Sequence, residues 1–419
     1  VSLLDFSSDA FIVAFFLYCF GFLFYGVSAL GRKWSKRSPE EHIRRWGRVA
    51  YIVSLLGFIA HLTFFFTRWS GGGHIPTSNM YEFMSFLAMA IMAAFIVVDA
   101  IYRKPLLGLF TLPLVVIIVA YAAVFPQEVQ PLIPALQSYW LKIHVTTAAT
   151  GEAFFAVGFA AGLMYLLRTV DFKKTDQRAR REQRWVEFTL YVIIVIIAFI
   201  GSVFGFRGAG YEANFKQETV EIDDSGAENS TVNTVEYSLP PIFKPYNSQV
   251  VTMDSFLGID KPLFETPHWM HGVDAARKLN TITWSIVNGS ILYGLLRLAL
   301  RKRIGAAIHP LMDGIDEDDI DEISYRAIAI GYPIFMLGAL IFAMIWAYIA
   351  WSRFWGWDPK EVWALITWLY YTAYLHFRLS RGWHGSKSAW LAVIGFVVVM
   401  FTLIGVNLVL VGLHSYAGV

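Results

Sequence analysis

Apolar residues gather along this chain into ten runs, at roughly 9–30, 49–67, 81–101, 105–124, 144–168, 186–205, 283–300, 327–350, 362–379 and 389–413. Each run is about 18–25 residues long, enough for a helix to cross about 30 Å of hydrocarbon. The pattern predicts an all-α polytopic membrane protein of about ten transmembrane helices. The polar stretches between the runs set the orientation. Lys and Arg crowd into "GRKWSKRSPEEHIRRWGR", "YRKP", "RTVDFKKTDQRARREQR", "RLALRKR" and "RLSRGWHGSK", and the alternate loops are poor in them. Basic short loops stay cytoplasmic. Both termini are therefore expected outside, together with the stretch "WSRFWGWDPKEVW" from Trp351 to Trp363. No basic residue precedes the first run, which argues against a cleavable leader.

Two polar segments interrupt the rhythm. Residues 206–282 form a long outer loop, and its Thr/Val-rich part "STVNTVEYSL" is expected to make a short β-hairpin. Residues 312–322, "MDGIDEDDIDE", read as a solvated acidic connector on the cytoplasmic side.

Composition sharpens this picture. Of 419 residues, 56% are hydrophobic, against about 45–50% in an ordinary soluble domain. A net charge of +2 gives no reason to expect a nucleic-acid partner. The single cysteine, Cys19, lies in an apolar run, so the chain holds no thiol pair, disulfide or cysteine metal site.

The histidines carry the chemistry. His144 opens the fifth run and His414 closes the tenth, both at the outer face. His376 lies inside the ninth, fifteen residues after Glu361, or roughly 22 Å down a helix. His61 is inside the second run, and His74 follows it outside. Ionisable groups within a bilayer are costly and mark function by default. Neutral imidazole is a common ligand of haem iron. Two outer histidines on separate helices can clamp one iron, and the neighbouring tryptophans can bed a porphyrin. The residues alone leave plainer readings open: an aromatic belt at the membrane face, and a histidine bonded to a neighbouring helix. His42, His309 and His384 read as cytoplasmic surface residues. The spacing of His268 and His271 is a weak metal signal.

The motif text goes further. "WSRFWGWDPKEVWALITWLYYTAYLHFR" resembles the signature of the CcsA/ResC cytochrome c biogenesis family, within the haem-handling group that shares a tryptophan-rich WWD domain. "GHIPTSNMYEF", "KIHV", "SYRAIAIGYP" and "NLVLVGLHSY" resemble further segments of that family. The resemblance implies a cytochrome c synthase. Haem b is received within the membrane, moved outward, and joined through thioether bonds to the CxxCH cysteines of apocytochrome c. By position, His144 and His414 would ligate the iron beside Trp351, Trp355, Trp357 and Asp358, with His144, His414 and Asp358 acting in catalysis. His376 would be an intramembrane ligand. Its opposite number would come from a separate CcsB/ResB partner, with His61 as an in-chain candidate. A thioredoxin-like reductant would keep the apocytochrome thiols reduced. The setting implied is a bacterial inner membrane or a thylakoid membrane.

The expected organisation is N-terminal helices over 1–169, an insertion over 170–320 and the WWD core over 321–419. The family signature usually opens Trp-Gly, where this chain has Trp351-Ser352, and the 170–320 stretch has no family counterpart assigned. It is expected to contact the partner, with contact to the apocytochrome and a lineage-specific insertion without chemistry as the alternatives. A haem transporter without synthase chemistry, a quinol-linked membrane cytochrome b and a cofactor-free channel are the competing classes.

Overall fold

The computed structural model describes residues 2–31, 38–129, 132, 137–222, 228–267 and 275–406. His414, His268 and His271 lie outside these residues. The chain divides into two compact units, one of residues 1–183 and 308–419 and one of residues 184–307.

The first unit is helical: α1 (Leu3–Leu30), α2 (Pro39–Gly72), α3 (Met80–Tyr102), α4 (Leu107–Ala122) and α5 (Tyr139–Thr169), with the start of α6 (Gln177–Gly208). After the second unit come α9 (Glu317–Phe335), α10 (Ala343–Trp351), α11 (Pro359–Arg381) and α12 (Ser386–Met400). Local signals set the ends. Ser2, Ser38, Asn79, Ser138, Asp316 and Asp358 each accept a backbone N–H as N-cap, supplying partners that a helix start lacks. Seven helices among the described residues are long and apolar enough to cross a bilayer: α1, α2, α3, α5, α6, the rod Glu317–Trp351, and Ser386–Gly405. The other three expected spans are helical too. However, α4 has only 16 residues, and the helix Ala275–Leu300 (α7) and α11 fall short in apolar character. Seven, rather than ten, meet the physical requirement outright.

Helix α5 is the centre of this unit and is buried almost throughout from Gly151 to Leu167. Its small residues admit close neighbours, the usual basis of helix packing in lipid. Gly151 lies against the backbone of Phe335, and Ser324 on α9 donates to the Gly158 carbonyl at 2.8 Å. The Phe155 ring stacks on Tyr371 of α11, with centroids 3.7 Å apart and planes 12° apart. Beyond Pro333, which cannot donate to the helix ladder, the rod continues through a π-helical segment, Met336–Phe342, before α10.

Around the start of α9 the acidic run proves to be a clasp rather than a solvated connector. Asp316 caps α9. Asp321 takes the buried Arg378 guanidinium at 2.6 Å and the Gly385 N–H at 3.2 Å. Lys104 pairs with Asp319, and Arg168 lies 3.6 Å from Glu317. His42 and His309 are likewise not plain surface residues. Each donates to a backbone carbonyl, of Val27 at 3.1 Å and Leu167 at 2.8 Å. His384 is exposed as expected.

The second unit holds most of α6, five strands, α7 (Ala275–Leu300) and the short α8 (Ile304–Ile308). The expected hairpin is there and is larger: β1 (Ala213–Ile222) pairs antiparallel with β2 (Glu228–Tyr237) from Ala213↔Tyr237 to Ile222↔Glu228. β4 (Ser248–Met253) joins the other edge of β1, giving the order β2-β1-β4. The short strands β3 (Phe243–Lys244) and β5 (Phe264–Glu265) pair in parallel. Period-two alternation puts Ala213, Phe215, Val235 and Tyr237 into one buried cluster with Tyr211. The Asn280 side chain of α7 accepts from the N–H groups of Ile242 and Phe243 and donates to the Phe243 carbonyl, each at 2.8 Å. That ties the loop to its helix.

Candidate haem-handling site

His144 sits in the first turns of α5, half-buried. Its Nδ1 lies 2.9 Å from the carbonyl oxygen of Gly338. A carbonyl only accepts, so Nδ1 carries the proton of a neutral ring and the lone pair is on Nε2. This is the arrangement that orients a ligating imidazole. The approach depends on Gly338, in the π-helical segment. A Cβ there would lie 2.2 Å from the Ala148 nitrogen and 2.7 Å from its Cα. π-Helical turns often occur at functional sites.

The imidazole stacks on Trp346, with centroids 5.7 Å apart and planes 13° apart. Trp346 in turn meets Trp351 edge-on at 4.8 Å. Trp351 thus reaches His144 through Trp346, a residue the sequence reading passed over because it lies outside the signature. Trp355 and Trp357 form a second, perpendicular pair at 5.9 Å. Trp357 is 71% exposed and has φ +58°, and Ser352, at the Trp-Ser departure, has φ +55°. The loop therefore turns through two left-handed non-glycine positions.

Asp358 is buried, as the N-cap of α11, and accepts from the Lys360 N–H at 3.0 Å. Glu361 closes the capping box by accepting from Asp358 at 3.2 Å and from Gly356 at 2.7 Å. Pro359 occupies the first helical turn, where its missing donor costs nothing. The charges among the tryptophans therefore build the corner that turns the loop into α11.

His376 is exposed on α11, which runs unbroken from the loop, so the ~22 Å separation from Glu361 holds. His61 is fully buried. It lies 3.3 Å from the Tyr18 hydroxyl and packs against the Phe11 and Phe64 rings. That enclosure leaves no face for a porphyrin. The structure does not bring His61 and His376 into contact, and His414 lies outside the described residues.

The "GHIPTSNMYE" stretch builds the turn between α2 and α3. Asn79 caps α3 through the Glu82 N–H at 2.9 Å. Ser78 donates to Glu82 at 2.7 Å through its hydroxyl. The other Glu82 oxygen takes the Arg68 guanidinium at 2.8 Å, with both side chains buried. Arg68 also donates to the Gln127 carbonyl at 2.7 Å and lies over the Tyr81 ring. Arg68 thus joins the end of α2 to the start of α3 through the ion pair, and to the loop after α4 through the Gln127 carbonyl. His74 beside it is buried, with Nδ1 3.0 Å from the Ile75 carbonyl.

The sequence model of the family described as Cytochrome C assembly protein matches residues 77–211 and 279–414. The chain belongs to this family. The match takes in the whole of α5 and α9 to α12, and leaves out residues 212–278, which hold the sheet. Among similar proteins is the cytochrome c biogenesis protein CcsA of Rippkaea orientalis, 32% identical over 354 residues covering 84% of this chain and 82% of that one. CcsA of Gloeobacter violaceus is 29% identical over 385 residues, covering 91% and 88%. CcsA of Crocosphaera subtropica is 31% identical over 360 residues, covering 83% and 82%.

Proposed function

We propose that this protein matures c-type cytochromes by holding haem on the outer-face tryptophan loop while it is attached to the CxxCH cysteines of an apocytochrome c. A part in cytochrome c biogenesis follows from the family; the synthase chemistry is the finer reading. The observation that carries it is the His144 ring: its tautomer is set by the Gly338 carbonyl, it stacks parallel to Trp346, and Trp346 in turn meets Trp351 edge-on. A neutral imidazole with its lone pair on Nε2 suits haem iron. Trp355 offers a buried indole N–H with no partner among the described residues, as a group awaiting a ligand would.

In this reading His144 holds the iron, with His414 as the second outer ligand and the indoles of Trp351, Trp355 and Trp357 against the porphyrin. Asp358 positions the loop. Thioether formation adds a thiol sulfur to one vinyl carbon and its hydrogen to the next, so neither oxidant nor reductant is consumed. What the protein contributes is placement, which converts an encounter into a near-unimolecular step. Cys19 is the chain's single cysteine, so reduction of the apocytochrome thiols falls to a thioredoxin-like partner. His376, exposed on α11, would meet haem together with a ligand from a CcsB/ResB-like subunit. The cyanobacterial relatives point to a thylakoid or cytoplasmic membrane. The test is His144→Ala and His414→Ala in a strain dependent on this protein. Loss of cytochrome c maturation with normal membrane insertion is expected, and wild-type maturation in either variant would reject the assignment.

A further inference from the structure

Below the tryptophan loop, α5 and α11 enclose polar atoms that the reading above does not use. Glu152 is 5% exposed, and its Oε2 has no hydrogen-bond partner among the described residues. The same holds for the Tyr371 hydroxyl, on a side chain with no exposure, and for the Trp368 indole nitrogen. Buried polar atoms are rarely left unsatisfied, and each such case asks for a ligand or a water. Trp N–H can only donate, and Tyr O–H donates readily. A carboxyl that carries its proton donates as well. Lys360 above them is within electrostatic range of Glu152, and Glu152 of Tyr371. The group as a whole is rich in donors and calls for an acceptor, and a carboxylate fits.

Depth supports the same occupant. Phe155 stacks on Tyr371, so those residues share a level. His144 and Lys360 each lie eleven residues earlier on their helices, which puts them at about the same height, and Glu152 is roughly 12 Å below His144. That drop is comparable with the distance from a porphyrin's central metal to its carboxylate arms. The chemistry fixes the direction. The vinyl groups of haem b and its two carboxylates lie on opposite edges of the ring, so vinyls turned out toward incoming thiols turn the carboxylates inward.

We propose that Glu152, Trp368 and Tyr371, with Lys360 at their upper edge, form the subsite for the carboxylate edge of the porphyrin. The subsite orients the ring so that its vinyl edge faces outward. This rests on the outer haem site proposed above, and the experiment separates the two. Purified His376→Ala protein, which confines binding to the outer site, is titrated with ferric protoporphyrin IX and with its dimethyl ester, following the Soret band. The diacid should bind about tenfold or more tightly than the ester, as charge-assisted hydrogen bonds would give. Tyr371→Phe and Trp368→Phe, which keep their rings, should each weaken the diacid several-fold to about tenfold and leave the ester unchanged. Equal affinities for diacid and ester, or a preference that both substitutions leave intact, would overturn the subsite while sparing the outer site. Failure of both porphyrins to bind, or binding of both that survives His144→Ala, would end both proposals.

Discussion

Gly338→Ala tests the link between helix packing and the histidine directly. The added methyl would sit 2.2 Å from the Ala148 nitrogen and 2.7 Å from the carbonyl carbon of Thr147. These are backbone atoms of the buried α5, not the ends of flexible side chains. The two elements must part by about 1 Å to reach ordinary contact, which in a packed interior costs about 1–3 kcal/mol. The carbonyl that accepts from His144 moves with Gly338. Its 2.9 Å hydrogen bond lengthens past the useful range, a further loss of about 1 kcal/mol. The catalytic effect should exceed the effect on stability, because a displacement of about 1 Å at a positioned group costs on the order of a hundredfold in rate. The assay pairs thermal unfolding in detergent with cytochrome c yield in cells, using Gly26→Ala as the control. A Cβ at Gly26 meets nothing within 4 Å, so that change should be neutral or stabilise by up to about 1 kcal/mol. If Gly338→Ala matched Gly26→Ala in both stability and yield, the close approach would not govern the site.

Three further outcomes are expected. Arg68→Met leaves Glu82 charged and buried, so it should destabilise by about 3–5 kcal/mol; the double change with Glu82→Gln should recover part of this, and a purely additive double mutant would show that the pair is not coupled. Asp358→Ala removes the cap of α11 and should cost about 0.5–2 kcal/mol, whereas Asp358→Asn should cost much less because asparagine caps nearly as well; denaturant titration that ranks them equal would place the role of Asp358 elsewhere. His376→Ala, at an exposed position, should change stability by no more than about 0.5 kcal/mol and lower the haem that copurifies with the protein; unchanged haem content removes His376 from the path.

Much of this protein could be read from its sequence, for a physical reason. A helix in lipid must satisfy its own backbone, so runs of apolar residues are close to sufficient for a span, and among the described residues each of the ten expected runs is helical. The motif "WDPKEVW" likewise encodes its own local structure, because a cap, a proline in the first turn and a capping-box glutamate act within a few residues of one another. The limits were equally physical. The expected runs took in α7 and α11, which carry more polar positions and fall short of a free-standing span in apolar character. The acidic run 312–322 looked solvated because Arg378 and Lys104, which neutralise it, are distant in sequence. The stacking of Trp346 on His144 and the reach of the Gly338 carbonyl depend on how two helices approach through a glycine, which no local pattern reports. Glu152 did carry a sequence signal, a carboxylate in the middle of an apolar run. Only the fold shows that its Oε2 is left without a partner among the described residues, since pairing across helices is decided by tertiary packing and not by propensity.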